Sequence, residues 1–269
     1  MIATATKRKR GLSIHPFFGG KYRLKNWIIP QLPAHKTFIE GFSGAANILL
    51  NKPAAPNEYL IEKDYHQYTL LSQIQQNPQA ITRFVKSLWL EDFWDWRSKL
   101  LSGELTDPTE MAGTVMAIRY LTWGGCRRIY PSLRAIDRSV HWLRSRLENL
   151  APLSTRLASV EIINGDAIDL LPSLVDNNSV AYLDPPYHPE CRSSKRVYGC
   201  EMDHDDHVAL LRTINGLPGK TLLSGYDNPL YKALLYRWRK ETKVVKLSPI
   251  FGNKSHQELR TECLWMNFG

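Results

Sequence analysis

Short runs of β-branched and aromatic residues, each closed by a glycine or a polar signal, recur at residues 37–40, 58–61, 160–163, 180–183, 221–224 and 243–247. Helical spacing separates them at 43–50, 65–75 and 204–214. Crossovers between parallel strands lay helices on both faces of a sheet, so a chain that alternates in this way must bury its strands from two sides. The expected fold is α/β with a mainly parallel sheet. The last run, 262–267, follows 243–247 with a loop and no helix between them, which suits an antiparallel hairpin at the sheet edge.

From about residue 79 to 151 the alternation stops. Leu133, Ile136, Val140, Leu143, Leu147 and Leu150 repeat at three- and four-residue spacing, the stripe of an amphipathic helix. Arg134, Arg138, His141 and Arg146 occupy its other face, and Arg119, Arg127 and Arg128 lie just upstream among Tyr120, Trp123 and Tyr130. Charges on one helix face are commonly just solvated. Cations interleaved with stacking groups suit nucleic acid instead, so this stretch reads as a helical subdomain inserted after the second strand.

The charge balance agrees. Lys and Arg number 35 against 26 Asp and Glu, a net charge of +9 that points to a polyanionic partner. With 43% hydrophobic and 23% charged residues the chain is not a disordered one, and its 269 residues fit one large domain carrying an insert. No run approaches the roughly 18 apolar residues of a membrane span. Cys126, Cys191, Cys200 and Cys263 follow no signal peptide, because residues 1–11 are short, basic around Lys7–Arg10 and lack an apolar centre. A cytoplasmic, nucleoid-associated setting is expected.

Asp184-Pro185-Pro186-Tyr187 directly follows the apolar run 180–183, which puts it at the carboxyl end of a parallel strand, where α/β sheets bind ligands. Proline has no N–H to donate, so the carbonyls of Asp184 and Pro185 can face a ligand without joining a ladder. A carboxylate, a free carbonyl and an aromatic face are what an exocyclic amino group on a planar ring requires: an acceptor for each of its two hydrogens and a surface for the ring.

These residues resemble the motif of the S-adenosylmethionine-dependent amino-methyltransferases, and further segments are similar, in order, to the Dam-type (D12 class) DNA adenine-N6 methyltransferase family. His15-Pro16-Phe17-Phe18-Gly19-Gly20-Lys21 resembles its N-terminal aromatic-x-Gly-Gly-Lys motif, and residues 37–47, TFIEGFSGAAN, resemble its cofactor loop. In that loop Ala46 stands where the family usually has a second glycine. Glu62 takes the place of the ribose-binding acid, Asn164-Gly165-Asp166 that of the adenine-contacting acid, and residues 119–127, RYLTWGGCR, that of the DNA-contacting stretch.

The resemblance implies a Rossmann-like class I methyltransferase sheet of seven mostly parallel strands with a helical target-recognition insert. It implies residues 1–14 as a basic arm, 15–78 with 152–269 as the catalytic domain, and 79–151 as the DNA-recognition insert. S-adenosylmethionine is the implied cofactor, held by Phe17, Lys21, Glu40, Phe42, Gly44, Glu62, Asp166 and Asp184. Asp184, Pro185, Pro186 and Tyr187 are the implied catalytic residues. Double-stranded DNA is the implied partner, contacted by Arg119, Trp123, Arg127, Arg128, Lys195 and Arg196, with no obligate protein partner and no membrane.

Neighbouring chemistries stay open at this level. Cytosine-N4 and RNA-adenine methylation use the same amino-group chemistry, a protein-glutamine methyltransferase uses a related tetrapeptide beginning with Asn, and a basic chain on an inactive scaffold would bind nucleic acid without reacting. Cytosine-C5 methylation needs a cysteine nucleophile, typically after proline, and none of the four cysteines follows proline. His188, Cys191, Cys200, His204 and His207 are metal-ligand types without a CxxC pair. No metal is expected, and Asp203 is instead a candidate helix cap.

Overall fold

In the computed structural model of the chain, residues 11–17, 19–88, 92–122, 133–191, 199–246 and 259–269 are described, with 133–139 described by their backbone alone. The strands are β1 (Thr37–Gly41), β2 (Asn57–Glu62), β3 (Val160–Asn164), β4 (Ser179–Leu183), β5 (Lys220–Gly225), β6 (Arg239–Lys246) and β7 (Leu259–Met266). They form one seven-stranded sheet in the order β3-β2-β1-β4-β5-β7-β6. β1 to β5 pair with one another in parallel, and β7 runs antiparallel to both β5 and β6. The edge hairpin is thus as expected, with β6 beginning four residues before the run at 243.

Alternation along each strand feeds two cores. Phe38, Leu60, Val180, Tyr182, Leu222 and Leu264 face one of them, and their chain neighbours Ile39, Ile61, Ala181, Leu183, Leu223 and Trp265 face the other. A period of two with apolar residues on both sides is the signature of a sheet covered on both faces. The first face is covered by α2 (Tyr65–Gln76), α3 (Pro78–Ser87), α4 (Phe93–Ser102), α5 (Pro108–Leu121), α6 (Leu133–Leu147) and α7 (Leu150–Leu157). The second is covered by α8 (Ala167–Leu174), α9 (His204–Asn215) and α10 (Pro229–Leu234), while a short helix, α1 (Lys25–Ile28), precedes β1.

The helical region after β2 shares the first core. α5 is buried from Met111 to Leu121; of the expected amphipathic stripe, Leu143 and Leu147 are buried on α6, while Leu150 is buried at the head of α7, since α6 ends at Leu147. Caps fix the helix starts: Asp203 and Asp206 form a reciprocal capping box on α9, and Asp166 accepts from Ile168 N at the head of α8. No helix among the described residues is long and apolar enough to cross a membrane.

One expected helix is absent. Residues 43–50 form turns, because Phe42 (φ 63°), Gly44 (φ 47°) and Ala46 (φ 49°) are all left-handed, and a right-handed helix cannot propagate through such residues.

Candidate functional site

β1 pairs with β2 on one side and β4 on the other, so the direction in which the chain builds the sheet reverses there. A crevice opens beyond the carboxyl ends of strands at such a switch point. The register pairs Gly41 with Leu183, so Phe42 and Asp184 leave the sheet side by side. A Cβ at Gly41 would lie 2.7 Å from Leu183 Cδ2, so a side chain here would require Leu183 to shift.

Two buried acids shape the loop that follows β1. Glu40 Oε2 accepts from Leu49 N at 2.6 Å and its Oε1 from Ile48 N at 3.4 Å. Glu62, the last residue of β2, accepts from Gly44 N at 2.9 Å and from the Ser43 hydroxyl at 3.2 Å through Oε2, and from Asp64 N at 3.0 Å through Oε1. Carboxylates here take the backbone donors that a helix would have satisfied. Burial pushes the Glu40 carboxyl up to about 8, against the downward pull of its two backbone donors; burial raises Glu62 as well.

Asp184 faces this loop. Its Oδ1 lies 2.7 Å from Lys21 Nζ, with the lysine side chain 4% exposed and the aspartate 19%. Recession from water raises the Asp184 carboxyl to about 6, the Lys21 ammonium pulls it back, and the charge of Glu262 adds to the rise. Lys21 Nζ also donates to Gly19 O at 2.9 Å and sits 4.8 Å from the centre of the Tyr187 ring. Tyr187 is buried, with its hydroxyl donating to Glu262 Oε2 at 2.6 Å and its ring edge-on to Tyr226 at 4.5 Å. Pro185 is buried and Pro186 half-buried between them.

A cleft of about 360 Å³, open to solvent, is lined by Phe17, Lys21, Glu40, Phe42, Asn47 and Asp184, together with Gly44. The Phe17 ring packs on the bare face of Gly44, where a Cβ would approach it to 3.1 Å. Gln67 on α2 ties this wall together by donating to Gly44 O at 2.6 Å and to His15 Nε2 at 3.0 Å. His15 Nδ1 donates in turn to Pro16 O at 2.9 Å; burial, helped by the Arg119 charge, lowers the imidazole to about 3 and keeps it neutral.

Of the residues expected at the cofactor, Phe17, Lys21, Glu40, Phe42, Gly44 and Asp184 therefore meet at one cleft. Glu62 and Asp166 meet at the neighbouring ends of β2 and β3, where Asn164 Nδ2 and Gly165 N both donate to Glu62 O. Asp166 Oδ2 pairs with Lys63 Nζ at 2.6 Å. Arg119, expected at DNA, is 8% exposed; its Nη2 donates to Gln67 Oε1 at 3.3 Å and its guanidinium lies 4.7 Å from the Phe17 ring centre. Trp123, Arg127, Arg128, Lys195 and Arg196 lie outside the described residues.

His188 Nε2 lies 3.2 Å from His204 Nδ1, and His207 Nδ1 lies 3.0 Å from the Tyr231 hydroxyl. These rings bond to one another and to tyrosine, and among the described residues no set of three His, Cys, Asp or Glu side chains is arranged to hold a metal.

Asn47 is marked in the sequence only as the last residue of the cofactor-loop segment 37–47, and Gln67 and Glu262 carry no functional signal there. Glu262 meets Tyr187 across 75 residues of chain, and a long-range pair between a loop and β7 leaves no local pattern. Gln67 reads only as a polar residue on the buried side of α2, where it is 1% exposed.

The sequence matches the family described as D12 class N6 adenine-specific DNA methyltransferase over residues 17–247. No curated protein matches it. Solved structures with similar folds include the precorrin-6y C5,15-methyltransferase from Geobacter metallireducens GS-15, at 9% identity and a TM-score of 0.39 over 97% of this chain and 93% of that one. Another is the rRNA methyltransferase aviRa from Streptomyces viridochromogenes, at 14% identity and a TM-score of 0.36 over 91% of this chain and 83% of that one.

Proposed function

The chain belongs to the D12 class N6 adenine-specific DNA methyltransferase family, and we propose that it methylates N6 of an adenine swung out of duplex DNA, with Asp184 and the Pro185 carbonyl as the acceptors that hold the amino group. The observation that carries this reading is the placement of Asp184-Pro185-Pro186-Tyr187 at the end of β4, beside the cleft and at the point where the sheet reverses.

S-adenosylmethionine, the methyl donor of this family, suits the cleft. Asn47 Oδ1 is buried there without a hydrogen-bond partner among the described residues, and such an acceptor implies a donor on the ligand; the ammonium of an amino acid is one. Phe17 and Phe42 offer apolar walls, and the absence of a side chain at Gly44 lets the Phe17 ring pack against the loop. Glu62 and Asp166 hold carboxylates at the ends of adjacent strands, placed for ribose hydroxyls and a nucleobase amino group. When bound, the cofactor supplies an electrophilic methyl group on a cationic sulfur that leaves as a neutral thioether.

The chain's own contribution is alignment. The amino lone pair of adenine is delocalised into its ring, and hydrogen bonds from the amino group to Asp184 and Pro185 O hold the nitrogen towards the methyl group. Orientation of this kind is worth roughly 7–11 kcal/mol. Tyr187 stacks on the displaced base, whose extrusion costs a few kcal/mol. No protein nucleophile takes part. Arg119 braces Phe17 and Gln67, contact with DNA falls to Arg127, Arg128, Lys195 and Arg196, and Trp123 stacks near the site the base has left. The helical region 79–151 supplies the recognition surface in this reading, and residues 1–14 a basic arm for phosphate.

Incubation with methyl-labelled S-adenosylmethionine and either duplex DNA or RNA, followed by digestion to nucleosides, tests the reading. Label in N6-methyldeoxyadenosine is expected. Label in N4-methylcytosine, or in RNA alone, overturns the substrate assignment while leaving the amino-group chemistry intact.

A further inference from the structure

Tyr187 is held at both ends. Its backbone follows two prolines, and its hydroxyl, at the far end of the ring, donates to Glu262 Oε2 at 2.6 Å, with both residues 7% exposed. Glu262 comes from β7, where it pairs with Lys243 of β6 and precedes Cys263, which pairs with Gly225 at the end of β5. The antiparallel edge of the sheet thus reaches into the site through one side chain. Around the same ring, Tyr226 packs edge-on with an interplanar angle of 66° and Lys21 Nζ lies 4.8 Å from the centroid.

We propose that Glu262 is a positioning residue for methyl transfer, fixing the tilt of the Tyr187 ring against which the target adenine stacks. This inference rests on the reading of Tyr187 as the stacking platform. The hydroxyl lies on the axis about which the ring turns, so its bond pins the far end of the ring and with it the tilt, and a short hydrogen bond to an ionised acceptor is about twice as strong as a neutral one. A carboxylate buried on β7, between β5 and β6, contributes little packing that a leucine would not, so its purpose lies in what it accepts. Because alignment supplies most of the rate, a platform free to tilt costs turnover without costing cofactor affinity.

The test compares Glu262→Ala, Glu262→Gln and Tyr187→Phe, alone and combined, on long unmethylated duplex DNA of mixed sequence. Glu262→Ala is expected to lower kcat roughly 10- to 100-fold with unchanged affinity for S-adenosylhomocysteine. Glu262→Gln, whose amide oxygen still accepts, recovers most of it. In the Tyr187→Phe background Glu262→Ala costs nothing further, because the bond it supports is already gone. Additive losses, or a fall in cofactor affinity that matches the fall in kcat, overturn the proposal. A wild-type protein that leaves DNA adenine unmodified contradicts the reading of the reaction instead. Glu262 is then still decided by spectra of ¹³C-tyrosine-labelled protein, with Tyr187 assigned through Tyr187→Phe: its ring signals shift or broaden in Glu262→Ala if the residue holds the ring, and unchanged signals overturn the proposal.

Discussion

The Lys21 ammonium lies 2.7 Å from Asp184 Oδ1, and both side chains are withdrawn from solvent at the mouth of the cleft. The pair sets the state of the acceptor. Burial raises the Asp184 carboxyl to about 6 and Lys21 limits that rise. Asp184 accepts hydrogen bonds from an amino group most strongly when ionised, so kcat/KM, which reports the free enzyme, is expected to rise with pH through a limb near 6. Lys21→Met removes the cation that favours the ionised form, and the limb should move to higher pH. A profile flat from pH 5 to 8, or a limb that moves down in the variant, contradicts this account of the pair.

Glu62 commits its carboxylate to Ser43, Gly44 and Asp64, so it holds the loop in shape, and under the proposed function it also offers acceptors to a ribose. In Glu62→Gln one oxygen becomes an NH₂ group that faces donors. Hydrogen bonds to a charged group are worth about 1.5–3 kcal/mol, and affinity for S-adenosylhomocysteine, measured by titration calorimetry, should fall roughly 10- to 100-fold. An unchanged affinity would place the cofactor elsewhere.

Gly44 combines a left-handed backbone with a face closed by Phe17. Gly44→Ala should destabilise the protein by about 1–2 kcal/mol through backbone conformation alone, visible as a lower midpoint in urea, and weaken cofactor binding by displacing Phe17. A variant with wild-type stability would show that the loop is not held in this conformation.

At the opposite end of β2 from Glu62, Glu58 holds two cations: Lys52 Nζ at 2.5 Å, and Arg156, which reaches both its oxygens. The Lys52 and Glu58 side chains are each 1% exposed. Removing the shared anion leaves buried positive charges uncompensated, a loss of about 3–5 kcal/mol. Glu58→Gln is therefore expected to lower thermal stability sharply while leaving kcat unchanged at a temperature where it is folded, which separates this network from the site.

The strands and the Asp184 motif were legible because a buried parallel strand is a continuous apolar run, and a motif at its end inherits its place from the sheet. The loop after β1 was not. Residues 43–50 carry helical spacing, yet left-handed Phe42 and Ala46 and the pull of Glu40 and Glu62 turn them aside; that outcome depends on acids brought in by the sheet. Arg119 drew attention as one cation among aromatics, whereas Met111 to Leu121 is apolar nearly all round, a pattern that marks a buried helix and placed Arg119 beneath the cleft. Glu262 owes its position wholly to tertiary packing, whereas Asn47 closes the loop segment 37–47 that the sequence already marks.

The central claim is that Asp184 accepts the amino group that is methylated. Its most direct measurement pairs methyl transfer from labelled S-adenosylmethionine to duplex DNA with S-adenosylhomocysteine binding, for the wild type and Asp184→Ala. The account predicts N6-methyladenine from the wild type, its loss in the variant, and retained cofactor binding in both. A variant that still methylates adenine at a comparable rate would contradict it.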